Sequence, residues 1–272
     1  MFLSTVGLAA QFTSGVNLVE VYAAVVDREG APVTGLTRAD FTVLEEGEPQ
    51  SLSAFAEGEF PLSVAVAIDR SFSMTARLPT AVAAASAFLG DLRREDQSTL
   101  IAIGSEIETI APLSSDRPPQ LGVLDALKPW GTTGLHDAVI ASIDAIQSAR
   151  GRRALVLFSD GVDRYSRAGA REALARARAS DVMIYPVALG EARAELFPQL
   201  AALTGGRSFQ TRDPGQATAA AHQIALELHH QYLLGYSPAR PIVAGANQWR
   251  AISVRVRRPD VTVRARDGYL AR

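Results

Sequence analysis

The chain has 272 residues, of which 47% are hydrophobic and 21% charged. This is the balance of a folded protein with one large unit, or a large unit and a small companion. A net charge of −2 and the lack of cysteine exclude a general attraction to nucleic acid or anionic membrane. They also exclude disulfides, thiolate metal sites and cysteine nucleophiles.

No run reaches the roughly 18 apolar residues of a membrane-spanning helix. Residues 1–12 (MFLSTVGLAAQF) are apolar but carry no basic residue, so residues 1–15 are expected to be the remnant of a signal peptide or a disordered start. Val19, Val21, Ala23 and Val25 then mark a strand by alternation, and Asp27-Arg28-Glu29-Gly30 reads as a turn. Residues 41–44 and 51–55 flank Glu46-Gly47-Glu48-Pro49 and are expected to form a hairpin.

The pattern changes at Pro61. Residues 62–68 (LSVAVAI) form a nearly continuous apolar run, as expected of a strand covered on both faces in a parallel sheet. Helices are expected over residues 79–92, 120–127, 135–149, 167–179 and 194–203, with strands over 98–103, 154–158 and 182–188 between them. This alternation predicts an α/β doubly wound, mostly parallel sheet occupying residues 61–230. A helix over residues 215–230 closes it. Extended pieces at 232–236, 249–257 and 261–266 follow. Residues 16–60 and 231–272 are expected to pair into one small β-domain, since domain termini tend to lie close together.

Asp69-Arg70-Ser71-Phe72-Ser73 directly follows the first buried strand. Its Asp, Ser and Ser are spaced by two, so their oxygens can converge in a loop leaving a strand end, where open α/β sheets bind ligands. Asp160, in Phe158-Ser159-Asp160-Gly161, takes the equivalent place after the second buried strand, and Gly131-Thr132-Thr133-Gly134 opens a helix between them.

These three motifs, in this order, resemble the metal-ion-dependent adhesion site (MIDAS) of von Willebrand factor A domains, over about residues 61–212. The segments Leu36-Thr37-Arg38-Ala39-Asp40-Phe41 and Leu234-Gly235-Tyr236-Ser237-Pro238 resemble a bacterial, acidobacterial-type subgroup of that family. The resemblance implies that Ser71, Ser73 and a threonine bind one divalent cation directly, with Asp69 and Asp160 holding it partly through water. Thr133 fits the family's spacing to the following helix, and Thr132 is the alternative. The implied ion is Mg²⁺, with Mn²⁺ or Ca²⁺ possible; Mg²⁺ takes oxygen ligands and keeps several waters. The implied function is a binding module for adhesion or scaffolding, secreted, periplasmic or at the cell surface, in which an Asp or Glu of a protein partner completes the metal shell. Neither nucleic acid nor a membrane span is implied.

Two residues depart from the family. Phe72 stands where glycine is usual, and Arg70 is bulkier than the common residue. Both are candidate partner-contacting rim residues; alternatively, Phe72 packs under the loop. A divalent-metal-dependent hydrolase or phosphotransferase is a competing reading, as is a structural domain with a silent site. The aspartyl phosphotransferase pattern, however, needs a second Asp where Ser71 stands. No G-x-S-x-G elbow, P-loop or dinucleotide fingerprint is present. Asp137, Asp163 and His136 read as solvated charges beside the motifs. His222, His229 and His230 read as a solvated helix face, and Arg250, Arg255, Arg257, Arg258, Arg264 and Arg266 as a solvated basic strand face.

Overall fold

The computed structural model describes residues 18–271 apart from 59, 243, 244 and 246; the expectation for residues 1–15 lies outside the described residues. At the centre is a six-stranded sheet of order β10-β9-β8-β5-β6-β7. Its strands are β5 (Leu62–Asp69), β6 (Gln97–Ile103), β7 (Ile107–Ser114), β8 (Arg152–Ser159), β9 (Val182–Leu189) and β10 (Phe209–Thr211). All neighbours run parallel except β7, which pairs antiparallel with β6 as an edge. Every residue of β5 and β9 is buried, which explains their unbroken apolar runs.

Side-chain alternation divides the core into two layers. Val64, Val66 and Ile68 face α1 (Leu78–Asp91), α2 (Arg117–Asp125) and α6 (Pro214–His229). Ala65 and Ala67 face α3 (Leu135–Ile146), α4 (Ala170–Arg178) and α5 (Leu196–Thr204). Because β5 presents small residues, Ser63, Ala65 and Ala67, on the second face before Asp69, α3 can lie close to it, bringing the loop that opens α3 to the carboxyl end of β5.

The flanking segments build two four-stranded sheets. One has the order β13-β1-β11-β4 and the other β14-β12-β2-β3. They use β1 (Val19–Val26), β2 (Phe41–Glu45), β3 (Glu48–Gln50), β4 (Leu52–Glu57), β11 (Tyr232–Tyr236), β12 (Gln248–Val256), β13 (Thr262–Arg264) and β14 (Gly268–Ala271). Strands from before and after the α/β unit therefore interleave, as in the pairing of Val21 with Leu234 and Val43 with Val254, and they enclose a third apolar core.

The expected hairpin is corrected. Strand β2 turns at Glu46-Gly47 onto β3, whereas residues 52–57 cross to the other sheet and pair with β11. The tail arginines are not one solvated face either. Arg250 is buried against Glu45, Arg264 pairs with Glu227, and Arg266 donates to the Glu20 carbonyl. The three helix histidines also separate. His222 pairs with Asp91, His230 meets the Leu226 carbonyl, and His229 is buried against Asp96 at 2.9 Å.

Asp96 ties down the amino end of the central sheet. Its carboxylate accepts from the Leu62 and Arg93 amides at 3.2 and 2.9 Å and from His229, while its carbonyl accepts from Arg117. Burial opposes ionisation, but these donors and the His229 charge prevail and hold the carboxyl below its usual range. A depressed folded-state value stabilises the fold above the unfolded pKa, and that stability is lost as pH falls through the folded value. Asp96→Asn is expected to cost about 2–3 kcal/mol at neutral pH, with the deficit shrinking toward acid. Urea denaturation at neutral and acidic pH measures it; equal stability at both would contradict the role.

Candidate metal-binding site

Strands β5 and β8 are adjacent and parallel, with Ile68 opposite Phe158. The chain leaves β5 toward β6 on one side and returns to β8 on the other, so the carboxyl ends of β5 and β8 flank a topological switch point, where such sheets open a crevice. Asp69 ends β5, and Asp160 follows the last residue of β8.

The five expected ligand residues meet there. Ser73 Oγ donates to Asp160 Oδ2 at 2.9 Å, Ser71 Oγ and Ser73 Oγ lie 3.1 Å apart, and Thr133 Oγ1 donates to Ser71 Oγ at 2.8 Å. Asp69 accepts from the Ser71 amide at 2.9 Å and from Ser159 Oγ at 2.6 Å. Between the two threonines, Thr133 is the one in the chain of oxygens. Thr132 turns outward, its hydroxyl 3.4 Å from Ser105 Oγ.

Ser159 is the residue sequence reasoning passed over. Its hydroxyl bridges the Asp69 carboxylate and the Gly161 amide, coupling the two strand ends. Its place as the last residue of a buried strand, directly before Asp160, was the available signal.

Two glycines let the loops close. Gly161 has φ +79°, and a Cβ there would lie 2.1 Å from Ala194 Cβ; Gly131 has φ +77°, and a Cβ would lie 2.5 Å from the Ser105 nitrogen. Both need a left-handed backbone and bare space. The loops are also bonded to each other. The Phe72 amide donates to the Gly131 carbonyl, the Trp130 amide to that of Arg70, and the Arg164 and Tyr165 amides to that of Thr133.

Asp163, Asp137 and Ser166, expected as solvated groups or not singled out, perform this bracing. Asp163 Oδ1 accepts from the Leu135 amide at 2.8 Å and the His136 amide at 3.3 Å, capping α3 from across the crevice. Ser166 Oγ accepts from the His136 and Asp137 amides, and the Asp137 carboxylate accepts from those of Arg167 and Ala168. The His136 ring meets the Ala168 carbonyl at 3.1 Å, away from the oxygen cluster. Asp163→Ala is expected to cost about 1 kcal/mol, as caps do, with Asp163→Asn retaining most of it. Urea midpoints of the three proteins measure this, and an alanine variant as stable as the native chain would contradict it.

At the rim, Arg70 is engaged: its guanidinium pairs with Glu108 at 2.8 Å and lies 5.1 Å from the Trp130 ring centroid. Phe72 does not pack under the loop; it is 64% exposed.

The donor set suits a small divalent cation. Mg²⁺ binds oxygens at about 2.0–2.1 Å with octahedral geometry, so neighbouring ligand oxygens stand about 3 Å apart. The hydroxyl separations of 3.1 Å between Ser73 and Ser71 and 2.8 Å between Ser71 and Thr133 meet that spacing, and Asp160 lies 2.9 Å from the Ser73 hydroxyl. Asp69 is 0% exposed, and burial, reinforced by the nearby Asp160, raises its carboxyl above the usual range despite its serine donors. A cation would offset that cost. Among the described residues no group of three or more His, Cys, Asp or Glu side chains could hold a metal; this site differs in being built mainly of hydroxyls.

Residues 64–162 match the family model of the von Willebrand factor type A domain, a span containing all five candidate ligands. No curated protein matches the chain. Among solved structures, the chain is similar to a von Willebrand factor type A protein from Catenulispora acidiphila, with 14% identity, TM-score 0.57, and 96% of this chain and 65% of that one covered. It is also similar to BatB from Bacteroides thetaiotaomicron, with 19% identity, TM-score 0.51, and 61% and 98% covered. A third likeness is to the vWF domain of the type V pili tip protein Mfa5 from Porphyromonas gingivalis, with 13% identity, TM-score 0.53, and 62% and 95% covered. At these identities the likeness is one of fold.

Proposed function

We propose that the central unit of this chain, whose residues 64–162 match the von Willebrand factor type A model, is a metal-ion-dependent protein-binding module rather than an enzyme. The observation that carries the reading is the continuous run of oxygens from Asp160 through Ser73 and Ser71 to Thr133, beside the buried Asp69. In this reading Ser71, Ser73 and Thr133 bind Mg²⁺ through their hydroxyls, and Asp69 and Asp160 hold it partly through water. Mn²⁺ or Ca²⁺ would serve in its place. Two carboxylates balance the ion's charge and the hydroxyls add none, so the metal stays electrophilic toward an outside carboxylate. That carboxylate is an Asp or Glu of a protein partner.

Adhesive or scaffolding work outside the cytoplasm fits the neighbours in fold, which include the vWF domain of a pili tip protein and the PilB minor pilin of Streptococcus sanguinis. No helix among the described residues is long and apolar enough to cross a membrane. The function is tested by immobilising the chain, exposing it to a bacterial cell-surface extract in Mg²⁺, and eluting with chelator. Proteins released by chelator and not retained by a Ser71→Ala variant support the reading. Identical retention with chelator present, or by the variant, contradicts it.

A further inference from the structure

Five bulky apolar side chains are exposed among the described residues: Leu18, Phe72, Trp130, Tyr165 and Leu226. Three of them stand on the loops that carry the candidate ligands. Phe72 separates Ser71 from Ser73, Trp130 precedes the Gly131-Thr132-Thr133 turn, and Tyr165 is bonded through its amide to the Thr133 carbonyl. Among the described residues the other aromatic rings are buried or partly buried, yet Phe72 and Tyr165 are each 64% exposed and Trp130 39%. Apolar side chains scattered singly need no explanation, but a group around a site marks a contact surface.

We propose that Phe72, Trp130 and Tyr165 form an apolar collar that selects, among the acidic side chains a metal could capture, those flanked by bulky aliphatic residues. The inference rests on the metal-binding reading above and adds the identity of the partner's neighbouring residues. A carboxylate on a metal does not discriminate, because nearly every protein surface offers one, so discrimination falls to the rim. Of the arginines beside the ligands, Arg70 is held by Glu108 and stacked on Trp130, and Arg77 donates to the Ser73 carbonyl at 3.4 Å. Beside these cations the rim offers aromatic area.

Part of that area is already fixed in place. Glycine at position 104 makes room for the indole, since a Cβ there would lie 2.7 Å from Trp130 Cε3, and Arg70 covers the ring. The Phe72 backbone is pinned by the Gly131 carbonyl and by Thr75 Oγ1, which donates to the Phe72 carbonyl at 2.8 Å. An indole held this way loses little freedom on binding, as suits an aromatic anchor.

The test uses the full chain loaded with Mn²⁺ and three acetylated tripeptide amides, each with a central aspartate flanked by glycine, serine or leucine. Calorimetry first records the cation heat and then the peptide affinities. The leucine-flanked peptide is expected to bind about tenfold more tightly than the other two. A Phe72→Ala, Tyr165→Ala double variant should keep the cation heat and lose the preference. Cation heat with equal affinities for the three peptides overturns the collar and leaves metal binding standing, as does a preference that survives in the double variant. No cation heat in the native chain overturns the metal reading and the collar with it.

Discussion

Asp69→Asn is expected to weaken cation binding by about 10- to 100-fold while making the metal-free protein more stable at neutral pH. The native carboxylate is fully buried, and its donors, the Ser71 amide and the Ser159 hydroxyl, are neutral. Burial raises its folded-state pKa. A carboxyl so shifted favours the fold at pH below its unfolded value, and that contribution is lost as pH rises through the folded value. Above the unfolded-state pKa the metal-free chain therefore carries the cost of keeping this carboxyl out of water. Asparagine removes the charge, keeps an oxygen for the Ser71 amide and offers an N–H toward Ser159. The signature is a crossing of urea midpoints, with the variant more stable in chelator and the native chain more stable in saturating Mg²⁺. A variant less stable under both conditions would make Asp69 a structural hydrogen-bonding residue and no more.

Glu45→Gln carries the second large effect, this time on stability alone. Arg250 and Glu45 are both buried and paired at 2.9 Å; Tyr236 and Tyr269 each donate to the other carboxylate oxygen at 2.9 Å, and Arg250 also donates to the Arg240 and Pro241 carbonyls. This group joins β2, β11, β12 and β14, so it holds segments from both ends of the sequence together. Burial, with the bond to Glu45, pushes the Tyr269 phenol up to about 12 and the Tyr236 phenol higher still, keeping both as donors across the neutral range. Removing the negative charge leaves the guanidinium buried without its counter-ion, which costs about 3–5 kcal/mol. Adding Arg250→Met should recover part of that loss, because the unpaired charge is then gone. Chemical denaturation of the single and double variants measures the coupling. Losses that simply add would contradict a specific pair.

The α/β unit was legible because its strands are buried on both faces and its helices are long. Residues 62–68 and 182–188 left no other reading. The elements that escaped are short or half covered. Strand β7 mixes Glu108, Thr109 and Pro112 with its apolar residues, and β10 has only three residues. The partner of β2 was misassigned because Glu46-Gly47 turns the chain onto three residues, a hairpin too short to show alternation, before β4 departs for the other sheet. The tail arginines misled for a related reason. Sequence shows a charge on a strand but not its counter-charge 205 positions away, as with Arg250 and Glu45.

The candidate site was legible in its oxygen-bearing residues and illegible in its support. Asp69, Ser71, Ser73 and Asp160 stood out by spacing at strand ends. Thr133 could not be separated from Thr132 until the loop showed which hydroxyl turned inward. Ser159 and Asp163 are ordinary residues in sequence, and their roles depend on which amides and carboxylates folding brings to them.

The most direct measurement is a calorimetric titration of Mn²⁺ into chelator-treated protein, run in parallel on a Ser71→Ala, Ser73→Ala double variant. One cation per native chain, displaced by Mg²⁺ and absent in the variant, is the predicted result. No binding by the native chain, or equal binding by both proteins, would contradict a cation held by the hydroxyls between β5 and β8.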